Sequence, residues 1–324
     1  MASQVASPFG GLELPNDLTR LAYQVSQQGK SYFGFFHKLL SNRLRSMFEP
    51  GFEPALAVDP ALLALINERI EILLQQDWQD AEAGIYPQEL LFDNAWDEFF
   101  SYYPAIWSDT PLVWERTRNK EYQRFAPEIE TEGYPKYYLQ NFHYQTDGYL
   151  SDTSAKLYDL QVDLLFNGTA DAMRRRIVAP LRSALASEVA PKVLDVACGT
   201  GRTLKMLSAA LPQARLHGID LSPAYLRKAN ERLSQLPGTL PQLVQANGEE
   251  LPFVDNYFEA VTSTFLFHEL PAAARQNVIN ECYRVVQPGG TLVLCDSIQM
   301  LDSPEFEALM SSFPATFHEP YYRH

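Results

Sequence analysis

At 324 residues the chain exceeds a usual single domain, so two domains are expected. Its residues are 46% hydrophobic and 12% aromatic, enough apolar side chain for real cores, which excludes a disordered chain. A formal net charge of -14 excludes a general nucleic-acid binder, because neutralising phosphates needs a basic face, and leaves a basic protein or a cationic small molecule as the natural partner.

No apolar run approaches the roughly 18 residues of a membrane helix, so no integral membrane contact is expected. The N-terminal stretch lacks the layout of a signal peptide and the Arg-rich look of a transit peptide, so the expected location is cytoplasmic. The cysteines Cys198, Cys282 and Cys295 are widely spaced, with no CxxC pair. A reducing compartment, no disulfide framework and no zinc site follow, and no other ligand cluster is visible, so no metal is expected.

Along the chain, Asn16 caps a helix beginning at Asp17, with Leu18, Leu21, Ala22 and Val25 at helical spacing and Gly29 as its stop. A second helix is expected from Lys30 to Phe48, with Phe33, Phe36, Leu40, Leu44 and Met47 on one face. Asp59-Pro60 then starts a third, an N-cap followed by proline at the first helical position. Its apolar stripe is Leu62, Leu63, Ile66, Ile70, Leu73 and Leu74.

Between Glu49 and Glu115 the only basic residue is Arg69, against fourteen Asp and Glu. Aromatic residues are interleaved with them (Trp78, Tyr86, Trp96, Tyr102, Tyr103, Trp107 and Trp114). The stretch reads either as a solvated acidic face around an aromatic core or as a docking surface for a basic protein, with Asp77, Asp80 and Glu82 among its charges. From Tyr134, "YPKYYLQNFHYQTDGYLS" is dense in tyrosine and reads as a loop or lid. Thr153 caps a helix through Phe166, and Gly168 breaks it. A last helix, Ala170 to Leu185, carries Arg174, Arg175 and Arg176 as a solvated face. Residues 1–185 are thus expected to form a helical domain for substrate recognition or closure.

The pattern then changes. "KVLDVA", "ARLHGIDLS", "PQLVQAN", "FEAVTSTF" and "GTLVLCDS" are short runs rich in Val, Leu and Ile, and helical stretches separate most of them. Strand and helix in alternation predict an α/β fold over 186–324, a doubly wound parallel sheet with strand order 3-2-1-4-5.

The first strand ends in "VLDVACGTG", residues 193 to 201. Gly199 and Gly201 lie between strand and helix, where small residues let a ligand approach the backbone. A dinucleotide site wants a third glycine in the pattern GxGxxG, and Leu204 stands there instead. A site with no pyrophosphate to hold can use an acid at the end of strand one, and Asp195 is that acid.

"VLDVACGTG" resembles the first motif of class I S-adenosylmethionine-dependent methyltransferases, close to the branch containing the ubiquinone/menaquinone-biosynthesis enzymes. "GIDLS", "ANGEELPF", "FEAVTSTFLFHELP" and "VVQPGGTLVL" resemble that family's later motifs in order, from about Lys192 to Ser297. The resemblance implies a Rossmann-like fold and S-adenosyl-L-methionine as cofactor. It places Asp195, Ala197, Gly199, Gly201, Asp220, Leu221, Asn247, Gly248, Glu249, Thr264 and Phe265 around that cofactor. Asp220 would accept both ribose hydroxyls, and Asn247 the adenine amino group. Ala197 stands where the family usually has glycine. The family also has sixth and seventh strands, but no strand-like run follows Asp296, so either the chain is truncated or the sheet ends at five strands.

His268, just past the fourth strand, is the candidate base on the acceptor side, and Tyr149 the candidate catalytic residue of a lid that also offers Tyr137, Tyr138 and Tyr144. The expected reaction is methyl transfer. A protein lysine is the first acceptor, suited to the acidic stretch, and a quinone or other small molecule the alternative. A non-catalytic binding protein on the same fold is the third reading.

Overall fold

The computed structural model describes residues 16–52 and 60–322. They fall into two compact units: the chain up to Tyr103 together with Tyr158–Ala179, and Pro104–Leu157 together with Pro180 onward. The expected boundary at residue 185 is thus not where the chain divides, because the tyrosine-dense stretch belongs with the sheet. Its hydrogen bonds explain why. Ser222 Oγ donates to the Tyr149 carbonyl, Ser154 Oγ lies 2.9 Å from the Tyr225 hydroxyl, and Tyr137 donates to Glu249 at 2.5 Å. Among the described residues, no helix is long and apolar enough to cross a membrane.

In the first unit, α1 (Asn16–Phe48) runs through Gly29 without a stop. A glycine ends a helix by turning left-handed, and Gly29 keeps φ negative, so it only lowers helix propensity there. The buried face of α1 is Thr19, Tyr23, Gln27, Lys30 and Gly34, whereas Leu18, Leu21, Val25, Phe36 and Met47 are exposed. The expected orientation thus fails in the first half of α1, while of the second expected face Phe33, packed edge-on against Trp96, Phe99 and Tyr103, and Leu40 and Leu44 are partly buried. The helix α2 (Pro60–Glu82) begins at Pro60 as expected, and the cap expected at Asp59 lies outside the described residues. The next helices along the chain are α3 (Phe99–Asn119) and α4 (Asp152–Leu165). The expected helix over 170–185 is two short ones, α5 (Ala170–Arg175) and α6 (Val178–Ala184).

Asp77 of α2 organises this unit. Its side chain is fully buried and forms a bidentate pair with Arg175, Nε to Oδ1 at 2.7 Å and Nη2 to Oδ2 at 2.6 Å. Tyr23 of α1 donates to Oδ2 at 2.6 Å and Tyr86 to Oδ1 at 2.7 Å, while Arg175 Nη1 donates to the Leu90 carbonyl at 2.8 Å. Four segments distant in sequence therefore meet on one carboxylate, which explains why α1 turns Tyr23 and not Leu18 or Leu21 inward. Arg176 pairs with Asp80 at 2.5 Å, and Arg174 is buried beside Asp171. Arg174 and Arg175 are internal counterions and Arg176 a half-exposed one, not a solvated face, and the buried Asp77 and Asp80 are not available as a docking surface.

The second unit is built on five parallel strands: β1 (Lys192–Val196), β2 (Arg215–Asp220), β3 (Gln242–Gln245), β4 (Phe258–Thr264) and β5 (Val286–Cys295). Their order is β3-β2-β1-β4-β5, as expected from the sequence. Between them run α7 (Arg202–Ala210), α8 (Pro223–Leu233) and α9 (Ala272–Val285). Leu194, Val196, Ile219, Val261, Val278 and Cys282 are among the buried residues of its core. Close helix–strand packing is achieved with the glycine on the strand: a Cβ at Gly218 would lie 2.6 Å from Leu204 Cδ1. Leu204, where a dinucleotide fold has its third glycine, fills that space and is fully buried. After β5 the described chain forms α10 (Glu307–Phe317) and no further strand.

Each unit yields a stability test. Burial alone would raise the Asp77 carboxyl, but the Arg175 guanidinium outweighs it and holds the group below the usual range. A depressed folded-state value contributes stability above the unfolded value of about 3.9, and that contribution is lost as the pH falls further. Asp77→Asn leaves Arg175 buried and unpaired, so urea unfolding should register a loss of about 3–5 kcal/mol at pH 7 and a weaker acid dependence. In the other unit Ala197 holds φ at +59°, a conformation that disfavours an L side chain by about 1–2 kcal/mol. Ala197→Gly relieves that strain while freeing the unfolded chain, so stability should stay level or rise by up to about 1 kcal/mol. A clear loss would mean that the methyl group is held by packing.

Candidate functional site at the carboxyl ends of the strands

Parallel strands end together, so the loops that follow β1, β2, β4 and β5 converge on one edge of the sheet. At the end of β2, Asp220 Oδ2 accepts from the Gly199 amide at 2.8 Å and Oδ1 from the Ser222 amide at 2.8 Å. The acid of one strand thereby holds the glycine loop of its neighbour. Burial raises the Asp220 carboxyl, against the pull of these amides and that of Leu221, to about 6. Among the described residues, no lysine or arginine pairs with it. Gly201 begins α7 with φ at +78°, and a Cβ there would lie 3.1 Å from Ala229 Cβ. At Gly199 the same construction meets nothing within 4 Å, so the loop borders open space.

Asp195 is almost wholly buried and accepts from its cross-strand partner, Thr262 Oγ1, at 2.9 Å. Both Asp195 and Asp220 push the Cys198 thiol up, after the larger effect of burial, so the two acids flank the same loop. Beyond β3, Asn247 Oδ1 accepts from the Glu249 amide at 3.0 Å, and the Glu249 carboxylate is taken by Tyr137 and by Asn277 at 2.8 Å. Gly248 sits against Val196 and Val278. At the end of β4, Thr264 Oγ1 is buried without a hydrogen-bond partner, and Phe265 holds φ at +62°. The structure thus gathers the expected cofactor residues along one edge.

Residues 134–154 close over that edge. The Tyr138 hydroxyl is buried, and the charge of Asp220 adds to burial in raising it. Tyr138, Phe142 and Tyr225 surround Tyr149 at ring distances of 6.1, 5.6 and 5.4 Å. Tyr144 stands apart from this wall, with His318 at 5.5 Å.

The loop after β4 is held by an acid absent from the sequence-based site. Asp296, next after β5, accepts from the amides of Leu266 at 2.9 Å, Phe267 at 2.7 Å and His268 at 3.3 Å, and its Oδ1 lies 2.6 Å from His268 Nδ1. Burial alone would lower His268, but Asp296, with Glu319 and Glu269, raises it to about 9. The ring therefore carries its proton at neutral pH and is a donor, not the base suggested by its position. Tyr149 donates to Glu269, whose buried carboxyl rises to about 7. Glu319 and His143, from the two ends of this unit's chain, complete the group. No motif marks either residue. The cue was only that "FHEPYY" and "NFHYQ" place charge within aromatic stretches.

An uncompensated carboxylate at the end of β2, an open glycine turn and a leucine in place of the third glycine suit a nucleoside without phosphates, and S-adenosylmethionine fits them. Residues 193–290 match the family described as methyltransferase domain. The demethylmenaquinone methyltransferase of Thermus thermophilus is 38% identical over 143 residues, 44% of this chain and 61% of that protein. The ubiquinone/menaquinone biosynthesis C-methyltransferase of Desulfotalea psychrophila is 36% identical over 146 residues, 45% of this chain and 56% of that one. The chain thus spans about three-fifths of the length of these relatives. Streptomyces venezuelae DesVI, a solved structure, is 26% identical with a TM-score of 0.37, over 45% of this chain and 58% of that chain. Residues 193–290 thus carry a methyltransferase domain, similar to that of ubiquinone/menaquinone-biosynthesis methyltransferases.

Proposed function

We propose that this chain transfers a methyl group from S-adenosylmethionine to a small, flat, apolar acceptor of the quinone type. The observation that supports this most is the identity of the relatives matched over the sheet unit, which are demethylmenaquinone and ubiquinone/menaquinone methyltransferases. The aromatic wall of Tyr138, Phe142, Tyr149 and Tyr225 suits a planar ring. The protein-lysine reading loses support, because two acids of its docking surface are buried and already paired with Arg175 and Arg176.

When bound, S-adenosylmethionine supplies an electrophilic methyl group on a sulfonium. The chain's task is to hold both reactants in line and exclude water. Asp220 accepts the ribose hydroxyls, and the Asn247–Glu249 turn receives the adenine. The backbone at Ala197, Gly199, Gly201, Thr264 and Phe265 lines the methionine portion, with Asp195 behind it. Tyr149 holds Glu269 toward the acceptor, and Asp296 holds His268.

Two measurements test this reading. With methyl-labelled cofactor and a cell extract, label should enter the organic-soluble fraction. Label confined to protein overturns the choice of acceptor. For the cofactor, the sign of the pH effect follows from Asp220, whose folded value lies above the ordinary one at about 6. Its contribution to stability is present in acid and lost as the pH rises through 6. Cofactor hydroxyls donate to the charged form, so affinity should run the other way and weaken roughly tenfold between pH 7 and pH 5. Asp220→Asn should flatten that profile in calorimetry, and Asp220→Ala should weaken binding by about 2–3 kcal/mol. Unchanged affinity in both variants removes Asp220 from the site.

A further inference from the structure

Glu269 and His268 belong to a wider group of side chains in the sheet unit, in which His143 and Glu319 have no assigned task. His143, Glu269 and Glu319 bring a ring nitrogen and two carboxylate oxygens within 4.8 Å of one another. His268 Nε2 faces the same point, 3.9 Å from Glu319 Oε2 and 4.0 Å from Glu269 Oε1.

The Glu319 side chain is only 1% exposed, yet neither of its oxygens accepts a hydrogen bond. His143 Nε2 lies 2.9 Å from Oε1, an ion pair when the ring is protonated, and the charges of His143 and His268 hold the Glu319 carboxyl below its usual range. A buried carboxylate needs a compensating charge, which the protonated rings of His143 and His268 supply here and which a divalent cation can supply in place of their protons. Two ligands of one cation, each about 2.0–2.2 Å from it, stand about 3 Å apart, as these two atoms do. The next layer of contacts fits as well. His268 presents Nδ1 to Asp296 at 2.6 Å, which turns Nε2 toward the carboxylates, and Tyr149 holds Glu269. Metal-bound histidines and carboxylates are oriented in this way by outer hydrogen bonds.

We propose that His143, Glu269 and Glu319, with His268 as a fourth ligand, bind a divalent first-row transition cation. Imidazole nitrogens beside carboxylates favour such an ion over Mg2+ or Ca2+, which prefer all-oxygen sets. The linear sequence hid the site, because its ligands come from the lid, the loop after β4 and the segment after α10. The site stands independently of the methyl-transfer reading. Its use rests on that reading: the cation would take the oxygen of a ring hydroxyl, whose proton passes to solvent, and the resulting anionic ring would displace the neutral thioether from the methyl carbon, which requires the acceptor to be a hydroxyl-bearing ring.

The whole chain, stripped with chelator and dialysed, is titrated with Co2+ in the visible and with Zn2+ by calorimetry. One equivalent per chain is expected, with Co2+ ligand-field bands distinct from the aquo ion and protons released from the histidines on binding. Glu319→Gln and His143→Gln should each weaken Zn2+ binding at least tenfold while calorimetric affinity for S-adenosylmethionine is retained, which also reports that the variants fold. Absence of Co2+ bands in the unaltered chain overturns the proposal, as does Zn2+ affinity unmoved in both variants. Because metal and cofactor binding are read separately from turnover, a failed metal site leaves the methyltransferase reading standing, and the reverse.

Discussion

Buried carboxylates at the strand ends, satisfied by backbone amides, are the constraint on which the functional edge of this protein depends. Asp220 takes the amides of Gly199 and Ser222, and Asp296 takes those of Leu266, Phe267 and His268. Each acid sits on one strand and fixes the loop that leaves its neighbour, β2 holding the loop of β1 and β5 that of β4. An amide donor stabilises a carboxylate without cancelling its charge. The loops are therefore rigid and the edge stays negative, a combination that suits a cationic cofactor.

Chain order conceals how that edge is assembled. The residues that close it lie before β1 (Tyr137, Tyr138, His143 and Tyr149) and after β5 (Asp296 and Glu319). Once Ser222 and Tyr225 of the β2 loop and α8 are tied to Tyr149 and Ser154, the lid is part of the sheet unit, not an appendage of the helices that precede it. The left-handed backbone at His143 and Tyr144 shows how tightly that stretch is held, since such conformations persist only where the surroundings impose them.

The sheet and its glycine loop were legible in the sequence because their signals are local. Apolar runs of strand length, turn glycines and an acid at a strand end need only a few adjacent residues, and the strand order followed from handedness rules. The orientation of the first half of α1 was not legible, because its apolar spacing pointed to Leu18, Leu21 and Val25, which the structure leaves exposed. What turns the helix is Asp77, whose need for Tyr23, Tyr86 and Arg175 arises only after four distant segments meet. Arg174 to Arg176 misled for the same reason: a run of charge reads as solvated until its partners are known. In the site, His268 was found by its place after β4, but its protonation is set by Asp296, Glu319 and Glu269, and no pattern in the sequence places those acids around it.

The distribution of charge also bears on the acceptor. A net charge of -14 suggests a surface built to attract basic partners, yet some of its acids are spent internally. Asp77 and Asp80 neutralise arginines, while Asp195, Asp220, Glu269 and Glu319 lie at the carboxyl edge of the sheet. A field placed there acts on whatever enters the site, not on whatever approaches the surface. It favours the sulfonium over the neutral thioether left after transfer, so on the proposed reading the carboxylates that help load the cofactor also weaken the hold on its product. A neutral ring gains nothing from that field until it ionises, and must be held by the aromatic wall of Tyr138, Phe142, Tyr149 and Tyr225. Electrostatics for the donor and apolar contact for the acceptor are thus supplied by different residues of the same edge, and each can be altered without removing the other.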